Sequence, residues 1–228
     1  MLSSVVIIVP AAGVGSRMQA PLSKQYLVIA GKPILQHCLE KLLALSPKKI
    51  MLIVSPEDEL WSDIPQSRDC QIVKGGLLRS DSVLNGIKAI EGEANDWVMV
   101  HDCVRPCFSN EDIVNLYQGL EAHPVGGLLG IPVVDTLKRV SSENEVLQTL
   151  DRNEHYLAQT PQMFRLGLLD KALNQTEAFS DESSAIEALG YHPKIIVGSR
   201  NNIKITTQED LALAEALLQK EMVQREKE

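Results

Sequence analysis

The sequence predicts an α/β fold in which a mainly parallel sheet carries helices on both faces. Apolar runs typical of buried strands alternate along the 228 residues with stretches that have helical spacing of apolar positions. The first apolar run ends in a glycine-containing loop, as in α/β proteins that hold phosphate groups. With 44% hydrophobic residues, the chain can bury a sizeable core. We therefore expect one Rossmann-like, doubly wound domain spanning 1–228.

The predicted elements follow from the spacing of the apolar residues. Six apolar runs are predicted as strands: 5–9, 50–54, 71–73, 97–100, 127–133 and 194–197. Three segments between them are predicted as helices: 34–45, 80–90 and 111–120. A last helix is predicted from Thr207 to about Gln224, with acidic residues in its first turn and Thr206 or Thr207 as its N-cap.

Residues 135–160 break this alternation. Two short runs with a period of two residues flank the polar turn at 141–144, which predicts a β-hairpin that projects from the α/β body. Such a hairpin supplies little core of its own. We therefore expect this arm to pack against another surface, and a partner subunit is the natural candidate.

Composition argues against several classes of protein. The net charge of −8 disfavours general nucleic-acid binding, which relies on a basic surface. No stretch has the ~18 uncharged apolar residues of a membrane span, and the N-terminus lacks a secretory pattern, so a cytoplasmic location is expected. The cysteines are expected as reduced, mostly buried thiols. His101, Cys103 and Cys107 crowd together, but without a second such cluster a metal site there is disfavoured.

The loop after the first strand has the features of a phosphate site. Gly13 and Gly15 permit positive φ angles and let a phosphate approach the backbone N–H groups. Arg17 and Lys24 add fixed positive charge. Met18 stands where a dinucleotide-binding motif has its third glycine, and no P-loop string follows. The segment is therefore either a phosphate loop of another kind or an ordinary turn between a strand and a helix.

Four further positions each have two interpretations. Asp102, after the fourth predicted strand, is either a ligand of a magnesium–triphosphate complex or the cap of a turn. Arg105 binds phosphate or pairs with Asp102. The segment 75–82 reads a nucleobase with its backbone and Ser82, or forms a plain turn with a helix cap. Lys204 binds substrate or is a solvated lysine at the end of a strand.

Taken in chain order, the motifs carry a resemblance to a known family. They are Pro-Ala-Ala-Gly-x-Gly-x-Arg-Met at 10–18 with Lys-Gln-Tyr at 24–26, Gly-Gly-x-x-Arg-x-x-Ser-Val at 75–83, His-Asp-x-x-Arg-Pro at 101–106, Asp-Thr-x-Lys at 135–138, Asp-Arg-Asn at 151–153, Thr-Pro-Gln at 160–162 and Asn-Ile-Lys-Ile-Thr at 202–206. This series resembles the bacterial 2-C-methyl-D-erythritol 4-phosphate cytidylyltransferases over nearly the whole chain. The related ribitol-5-phosphate cytidylyltransferases share several of the motifs and are the alternative.

The resemblance implies a fold of the nucleotide-diphospho-sugar transferase type and a transfer of CMP from CTP to methylerythritol phosphate, with release of pyrophosphate, in non-mevalonate isoprenoid synthesis. It also implies Mg²⁺ on the triphosphate and a homodimer in which each arm completes the partner's site. The implied residues are Arg17, Lys24, Arg152 and Lys204 for catalysis; Ala11, Ala12, Gly13, Gly15, Gly76, Ser82, Asp102 and Cys103 for the nucleotide; Arg105, Thr136, Arg152, Thr160 and Lys204 for the sugar phosphate; and Asp102 as the candidate metal ligand.

One departure and two other classes bear on this interpretation. Asn201 stands where the family commonly has aspartate, so an expected carboxylate is missing. A nicotinamide-dependent oxidoreductase is disfavoured because the third glycine and the ribose-binding acid are missing. A non-catalytic nucleotide-binding regulator would not need all four cations of the implied catalytic set.

Overall fold

The computed structural model describes residues 2–13, 23–175 and 179–225. Its strands are β1 (Val5–Pro10), β2 (Val28–Ile29), β3 (Lys32–Pro33), β4 (Lys49–Val54), β5 (Gln71–Lys74), β6 (Trp97–Val100), β7 (Gly126–Pro132), β8 (Leu137–Val140), β9 (Val146–Leu150), β10 (Tyr156–Arg165) and β11 (Lys194–Val197). Its α-helices are α1 (Ile34–Ala44), α2 (Arg79–Lys88), α3 (Asn110–Leu120), α4 (Leu166–Leu173), α5 (Glu182–Ala188) and α6 (Gln208–Arg225).

Seven strands form the central sheet, in the order β11-β7-β10-β6-β1-β4-β5. Only β10 runs antiparallel to its neighbours β6 and β7; the other adjacent strands of this sheet pair in parallel. Chain order reverses at β1, because β4 and β5 lie on one side of it and β6 on the other. Open α/β sheets bind ligands beyond the carboxyl ends of their strands at such a switch. The topology therefore points to the ends of β1 and β6.

The central strands are buried on both faces because they are apolar at every position. In β1, Val5, Ile7 and Val9 enter one core cluster, whereas Val6 and Ile8 enter a second on the opposite face. The first cluster includes side chains of α1 and α3, and the second includes side chains of α2, α4 and α5. This two-sided cover is the doubly wound arrangement that the alternation predicted.

Helix α6 packs on a third, smaller core. Its Ala214 and Leu218 join Ile29 of β2, Ile34 of α1 and Ile205. The Thr207 hydroxyl oxygen accepts a hydrogen bond from the Asp210 N–H at 3.3 Å, which makes Thr207 the N-cap. Because Ile205 follows Lys204 directly, this packing holds the segment that leads into the ligand-binding edge of the sheet. Among the described helices, none is long and apolar enough to cross a membrane.

The predicted strands and helices are present, with bounds that differ from the prediction by at most two residues. The period-2 pattern within 135–160 forms the hairpin β8–β9, which is a separate two-stranded sheet. Residues 156–160 do not belong to that hairpin: they are the first half of β10, paired with β7 in the central sheet. The sequence interpretation missed β10 as a strand, and it also missed α4, α5 and the small hairpin β2–β3. The sequence of β10 does not show a regular alternation of apolar and polar residues, because its pairing shifts register between Ala158 and Gln162.

Candidate active site

A cleft opens beyond the carboxyl ends of β1 and β6. Its floor is formed by Ala11, Ala12 and Gly13 after β1, and by Asp102 and Cys103 after β6. Its wall includes polar and charged side chains and a loop glycine: Lys24, Gly76, Arg79, Ser82 and Lys204. The cleft thus lies at the reversal of strand order, where a parallel sheet leaves space between diverging loops.

The loop after β1 is held from two sides. The Ala11 N–H donates to the carbonyl of Ile53 at 2.7 Å, and the amide of Gln25 donates to the Ala11 carbonyl at 2.8 Å. Gln25 is itself buried. A Cβ on Gly75 would lie 2.6 Å from the Cβ of Ala12, so the second loop can approach the first only because residue 75 lacks a side chain. Small residues therefore bring two stretches of backbone to the same cleft.

The second loop leads into the N-terminus of α2. The Ser82 hydroxyl accepts from the Gly76 N–H and donates to the Leu78 carbonyl, both at 3.1 Å. The Asp81 carboxylate accepts from the Leu78 N–H at 3.1 Å and caps the helix. Leu77, next to this turn in the cleft wall, is fully exposed. Ser82 consequently shapes the loop through its own hydrogen bonds, which is the turn-and-cap interpretation of this segment.

Asp102 lies at the centre of a cluster of cations. Its Oδ2 accepts from Lys204 Nζ at 2.7 Å, and its Oδ1 accepts from Arg79 Nη2 at 2.9 Å and Nε at 3.2 Å. Arg105 is farther away, with 4.0 Å between its Nε and Asp102 Oδ2. Burial by itself raises the pKa of Asp102, but the charges of Arg79 and Lys204 hold that pKa well below its usual range. The carboxylate is therefore ionised, with both oxygens in ion pairs.

A chain of hydrogen bonds supports Asp102 from behind. Its N–H donates to Thr160 Oγ1 at 3.1 Å, and Thr160 Oγ1 lies 3.3 Å from Nδ1 of His101. Nε2 of His101 lies 3.1 Å from the Arg105 carbonyl, which only accepts, so Nε2 carries the proton and Nδ1 accepts from Thr160. Burial lowers the pKa of His101 to about 4. A neutral imidazole thus orients Thr160 beneath the backbone of Asp102.

A second cavity adjoins the cleft and shares Arg79, Asp102 and Lys204 with it. Arg105 and Thr160 line this second cavity. The side chains of this ion-pair cluster therefore stand between two adjoining cavities.

The segment that carries Lys204 is fixed by its neighbours. Arg105 Nη1 donates to the Asn202 carbonyl at 2.7 Å, and Asn202 Nδ2 donates to the Thr160 carbonyl at 2.8 Å. The Gln159 amide donates to the Ser199 carbonyl at 2.9 Å. These bonds tie the segment to β10 and to the turn after β6. The ammonium of Lys204 is thereby held at the junction of the two cavities.

This geometry agrees with comparisons to known proteins. The family model described as "IspD: 2-C-methyl-D-erythritol 4-phosphate cytidylyltransferase" matches residues 5–220. The chain belongs to this family. The 2-C-methyl-D-erythritol 4-phosphate cytidylyltransferase of Mannheimia succiniciproducens is 46% identical to it over 221 residues, covering 94% of this chain and 96% of that protein.

Solved structures of the family share the fold. The crystal structure of the Francisella tularensis 2-C-methyl-D-erythritol 4-phosphate cytidylyltransferase matches with a TM-score of 0.80 and 36% identity, covering 94% of this chain and 99% of that one. A crystal structure of a 4-diphosphocytidyl-2C-methyl-D-erythritol synthase matches with a TM-score of 0.82 and 33% identity, covering 94% and 98% of the two chains. The resemblance inferred from the motifs is confirmed at the level of the family and the fold.

The residues implied by the resemblance fall into four groups. Ala11, Ala12, Gly13, Lys24, Gly76, Ser82, Asp102, Cys103 and Lys204 line the cleft, and Arg105 and Thr160 line the second cavity together with Asp102 and Lys204. Thr136 and Arg152, at the base of the arm, are exposed and line neither cavity. Arg17 and Gly15 lie outside the described residues. Asn201 is exposed and lies in a different depression beside α6, with Cys107 and Leu217.

Sequence analysis missed two residues that the structure joins to this cluster. Arg79 was part of a quoted motif but had no assigned role, and Glu182 was not singled out. The Arg79 Nη1 donates to Glu182 Oε1 at 2.6 Å, across 103 positions of sequence. The motif at 75–83 includes this arginine, whereas nothing local in the sequence identifies its distant carboxylate.

The described residues offer a divalent cation little by themselves. No group of three or more His, Cys, Asp or Glu side chains comes together among them. Asp102 is the carboxylate that lines the cleft, and both of its oxygens are already paired with cations. This donor set fits a Mg²⁺ ion that takes most of its ligands from phosphate oxygens and water, as Mg²⁺ commonly does.

Proposed function

We propose that this chain transfers CMP from CTP to 2-C-methyl-D-erythritol 4-phosphate, giving 4-diphosphocytidyl-2-C-methyl-D-erythritol and pyrophosphate. Membership of the family supports this activity. The observation that carries it is the pair of adjoining cavities that share Arg79, Asp102 and Lys204. A reaction between two phosphate-bearing substrates needs two neighbouring sites with positive charge at their junction.

The first cleft is assigned to CTP. The backbone of Ala11 to Gly13 would face the phosphates, and the loop at Gly76 with Ser82 would face the base. Lys24 and Arg17 would stabilise the charge that develops at the α-phosphorus. Lys24 lines this cleft and donates to the Thr206 carbonyl at 3.4 Å, so the lysine side chain already points toward the Lys204 segment.

The second cavity is assigned to the sugar phosphate. Lys204 and Arg105 supply positive charge, and Thr160 lines the same space. An oxygen of the methylerythritol phosphate attacks the α-phosphorus of CTP, and the bond from that phosphorus to the bridging oxygen breaks as pyrophosphate leaves with the electron pair. The attacking phosphate is already an anion, so no general base is needed; the protein aligns the groups and stabilises charge.

The cofactor in this proposal is Mg²⁺. Asp102 would contact the ion through the ion's water ligands, because both carboxylate oxygens already pair with cations. When bound, the ion supplies counter-charge that lets two polyanions approach one another.

The arm is assigned to a homodimer. Val140, Val146 and Leu147 on β8 and β9 are exposed apolar side chains, and an isolated two-stranded hairpin is marginal in water. Thr136 and Arg152 at its base would then complete the partner's sugar-phosphate site. In this proposal 1–228 is a single domain, the hairpin β8–β9 is its projecting arm, and the protein is cytoplasmic.

Pyrophosphate release measured with four nucleoside triphosphates and a panel of polyol phosphates tests the activity. We expect turnover with CTP and methylerythritol phosphate that is lost on chelation of Mg²⁺. Lys204→Ala, purified in parallel, should be inactive, which excludes a contaminating enzyme. Equal turnover with ribitol 5-phosphate would contradict the sugar assignment, and strong activity with ATP or GTP would contradict the base assignment.

A further inference from the structure

Arg79 bridges two carboxylates that come from different elements. Its Nε and Nη2 donate to Asp102 Oδ1 at 3.2 and 2.9 Å, and its Nη1 and Nη2 donate to Glu182 Oε1 and Oε2 at 2.6 and 3.2 Å. These four hydrogen bonds use four of the five N–H groups of a guanidinium. Little of Arg79 is therefore left to bind a substrate anion directly.

Glu182 is the anchor of this bridge. It is the first residue of α5 and is 1% exposed, and Arg79 is its ion-pair partner among the described residues. A buried carboxylate needs such a partner because an unpaired charge in the interior is very unfavourable. The neighbouring Gln162 holds the start of α5, since its Oε1 accepts from the Ser183 N–H at 2.8 Å and its Nε2 donates to Asp181 at 2.9 Å.

The guanidinium of Arg79 also gives the two oxygens of Asp102 different partners. Because Oδ1 receives both Nε and Nη2, Oδ2 is left to face Lys204 at the junction of the two cavities. A lysine in place of Arg79 has no planar fork and could not hold both carboxylates in this arrangement.

We propose that Arg79, anchored by Glu182, is a positioning residue that fixes the Asp102 carboxylate and, through it, the Lys204 ammonium at the point where the two substrates meet. This inference rests on the proposed function and adds two residues to the reaction: Arg79 and Glu182, neither of which touches the reacting atoms. Its consequence is that Glu182 influences turnover from outside both cavities.

A double-mutant cycle between Glu182 and Asp102 tests the proposal, because these side chains are joined through Arg79. We expect Glu182→Gln to lower kcat about 10-fold or more while the Kd for CTP, measured by calorimetry without the second substrate, changes less than about 3-fold with full stoichiometry. In an Asp102→Asn background, Glu182→Gln should lower kcat by less than about 2-fold, because the carboxylate that Arg79 and Glu182 position is already absent. Arg79→Lys, which keeps the positive charge but lacks the planar fork, should also lower kcat.

The matched control is Glu221→Gln, which removes the carboxylate partner of the buried Lys41 at 2.6 Å, away from the cleft. It should lower Tm without lowering kcat. The positioning role is refuted if Glu182→Gln lowers Tm without lowering kcat, as this control does. It is also refuted if the double mutant's fold decrease in kcat equals the product of the decreases caused by Glu182→Gln and by Asp102→Asn. Should Glu182→Gln fail to fold, Glu182→Asp, which keeps the charge and shortens its reach, gives the same comparison.

A crystal structure of Glu182→Gln gives an answer that does not depend on turnover. We expect the distance between Asp102 Oδ2 and Lys204 Nζ to increase beyond hydrogen-bonding range. An unchanged Asp102–Lys204 pair would overturn the proposal even if the activity were lost. A wild-type protein that does not use CTP and methylerythritol phosphate would contradict the proposed function alone, and this structural readout would still decide the role of Arg79.

Discussion

Asp102 stays ionised in the interior because cations surround it at short range. Arg79 and Lys204 each bind one of its oxygens, and Arg105 lies at 4.0 Å. At such distances the attraction between opposite charges exceeds the cost of burial only when the geometry is well satisfied. Small displacements of one member should therefore affect the others, and this site should tolerate few substitutions.

Lys24→Ala is expected to lower kcat by ~10²-fold or more, while CTP binding weakens less, because the lysine is assigned to charge that develops in the transition state. Arg17→Ala is expected to behave in the same way. Steady-state kinetics with calorimetric CTP binding measure the two effects. Lys88→Ala, which removes the same charge from the exposed end of α2, is the control. A rise in KM at constant kcat would make these residues binding groups instead.

Gly75→Ala is expected to weaken CTP binding more than it lowers Tm. The added Cβ would meet Ala12 at 2.6 Å and the Ser82 hydroxyl at 2.9 Å, so the two loops that line the cleft must separate. Calorimetry of CTP binding and thermal unfolding check this. Gly190→Ala, whose Cβ would lie in open space but whose φ is +83°, should lower Tm while leaving CTP binding intact. Unchanged CTP affinity in Gly75→Ala would refute the close-approach argument.

His101 should make the fold acid-sensitive. Burial lowers its pKa to about 4 from 6.5, so the unfolded chain binds the proton more readily and stability falls as pH drops through this window. The shift corresponds to a loss of up to about 3 kcal/mol across the window. Urea unfolding at pH 7.5, 6 and 5 should give a shallower pH dependence for His101→Gln than for wild type. His192→Gln, at an exposed position, should keep the wild-type slope; equal slopes for all three proteins would exclude His101 as the cause.

At the scale of elements, the small hairpin β2–β3 packs against α6, where Ile29 contacts the core that Ala214 and Leu218 share. Its turn residues Ala30 and Gly31 both have positive φ, +45° and +79°, as a type I′ turn of a two-residue hairpin requires. The Ala30 N–H donates to Glu215 of α6 at 3.1 Å, so this turn also helps to hold the helix that follows Lys204.

Gly31→Ala is expected to lower the free energy of unfolding by about 1 kcal/mol, because an L side chain is disfavoured at φ +79° although its Cβ would meet nothing within 4 Å. Gly31→Asn should cost less, since asparagine tolerates the left-handed region better. Denaturant unfolding of the three proteins measures the difference. Equal stability of Gly31→Ala and wild type would contradict the conformational explanation.

The strand β10 illustrates what element-level prediction misses. Residues 162–165 of this strand pair antiparallel with β6, and residues 156–158 and 162–164 pair antiparallel with β7. Thr160 lies within the register shift, where its hydroxyl accepts from the Asp102 N–H. An irregular strand between two regular ones has no clear period in its own sequence. The hairpin β8–β9 was recognised because its pairing is local, whereas β10 depends on partners far along the chain.

At the scale of the whole molecule, the shared-site homodimer predicts that two inactive variants restore activity to one another. Lys24→Ala and Arg152→Ala chains are dissociated, mixed and reassociated. If Arg152 serves the partner's site, each mixed dimer has one site that lacks both residues and one that is intact. Random pairing makes about half of the dimers mixed, so roughly one quarter of wild-type sites should return. If Arg152 serves its own chain, every site lacks one residue and mixing restores nothing.

The sequence by itself determined the sheet with helices on both faces and most of the cleft. Strands that are apolar at every position must be covered on both faces, and parallel strands end at a common edge, so the residues after β1 and β6 had to meet there. Only the tertiary structure decided which charged groups pair: Arg79 with the distant Glu182, and Asp102 with Lys204 more closely than with Arg105. The physical reason is range. Periodicity and turn chemistry act between neighbours in sequence, whereas an ion pair depends on angstrom-scale distances that the packing of remote elements sets.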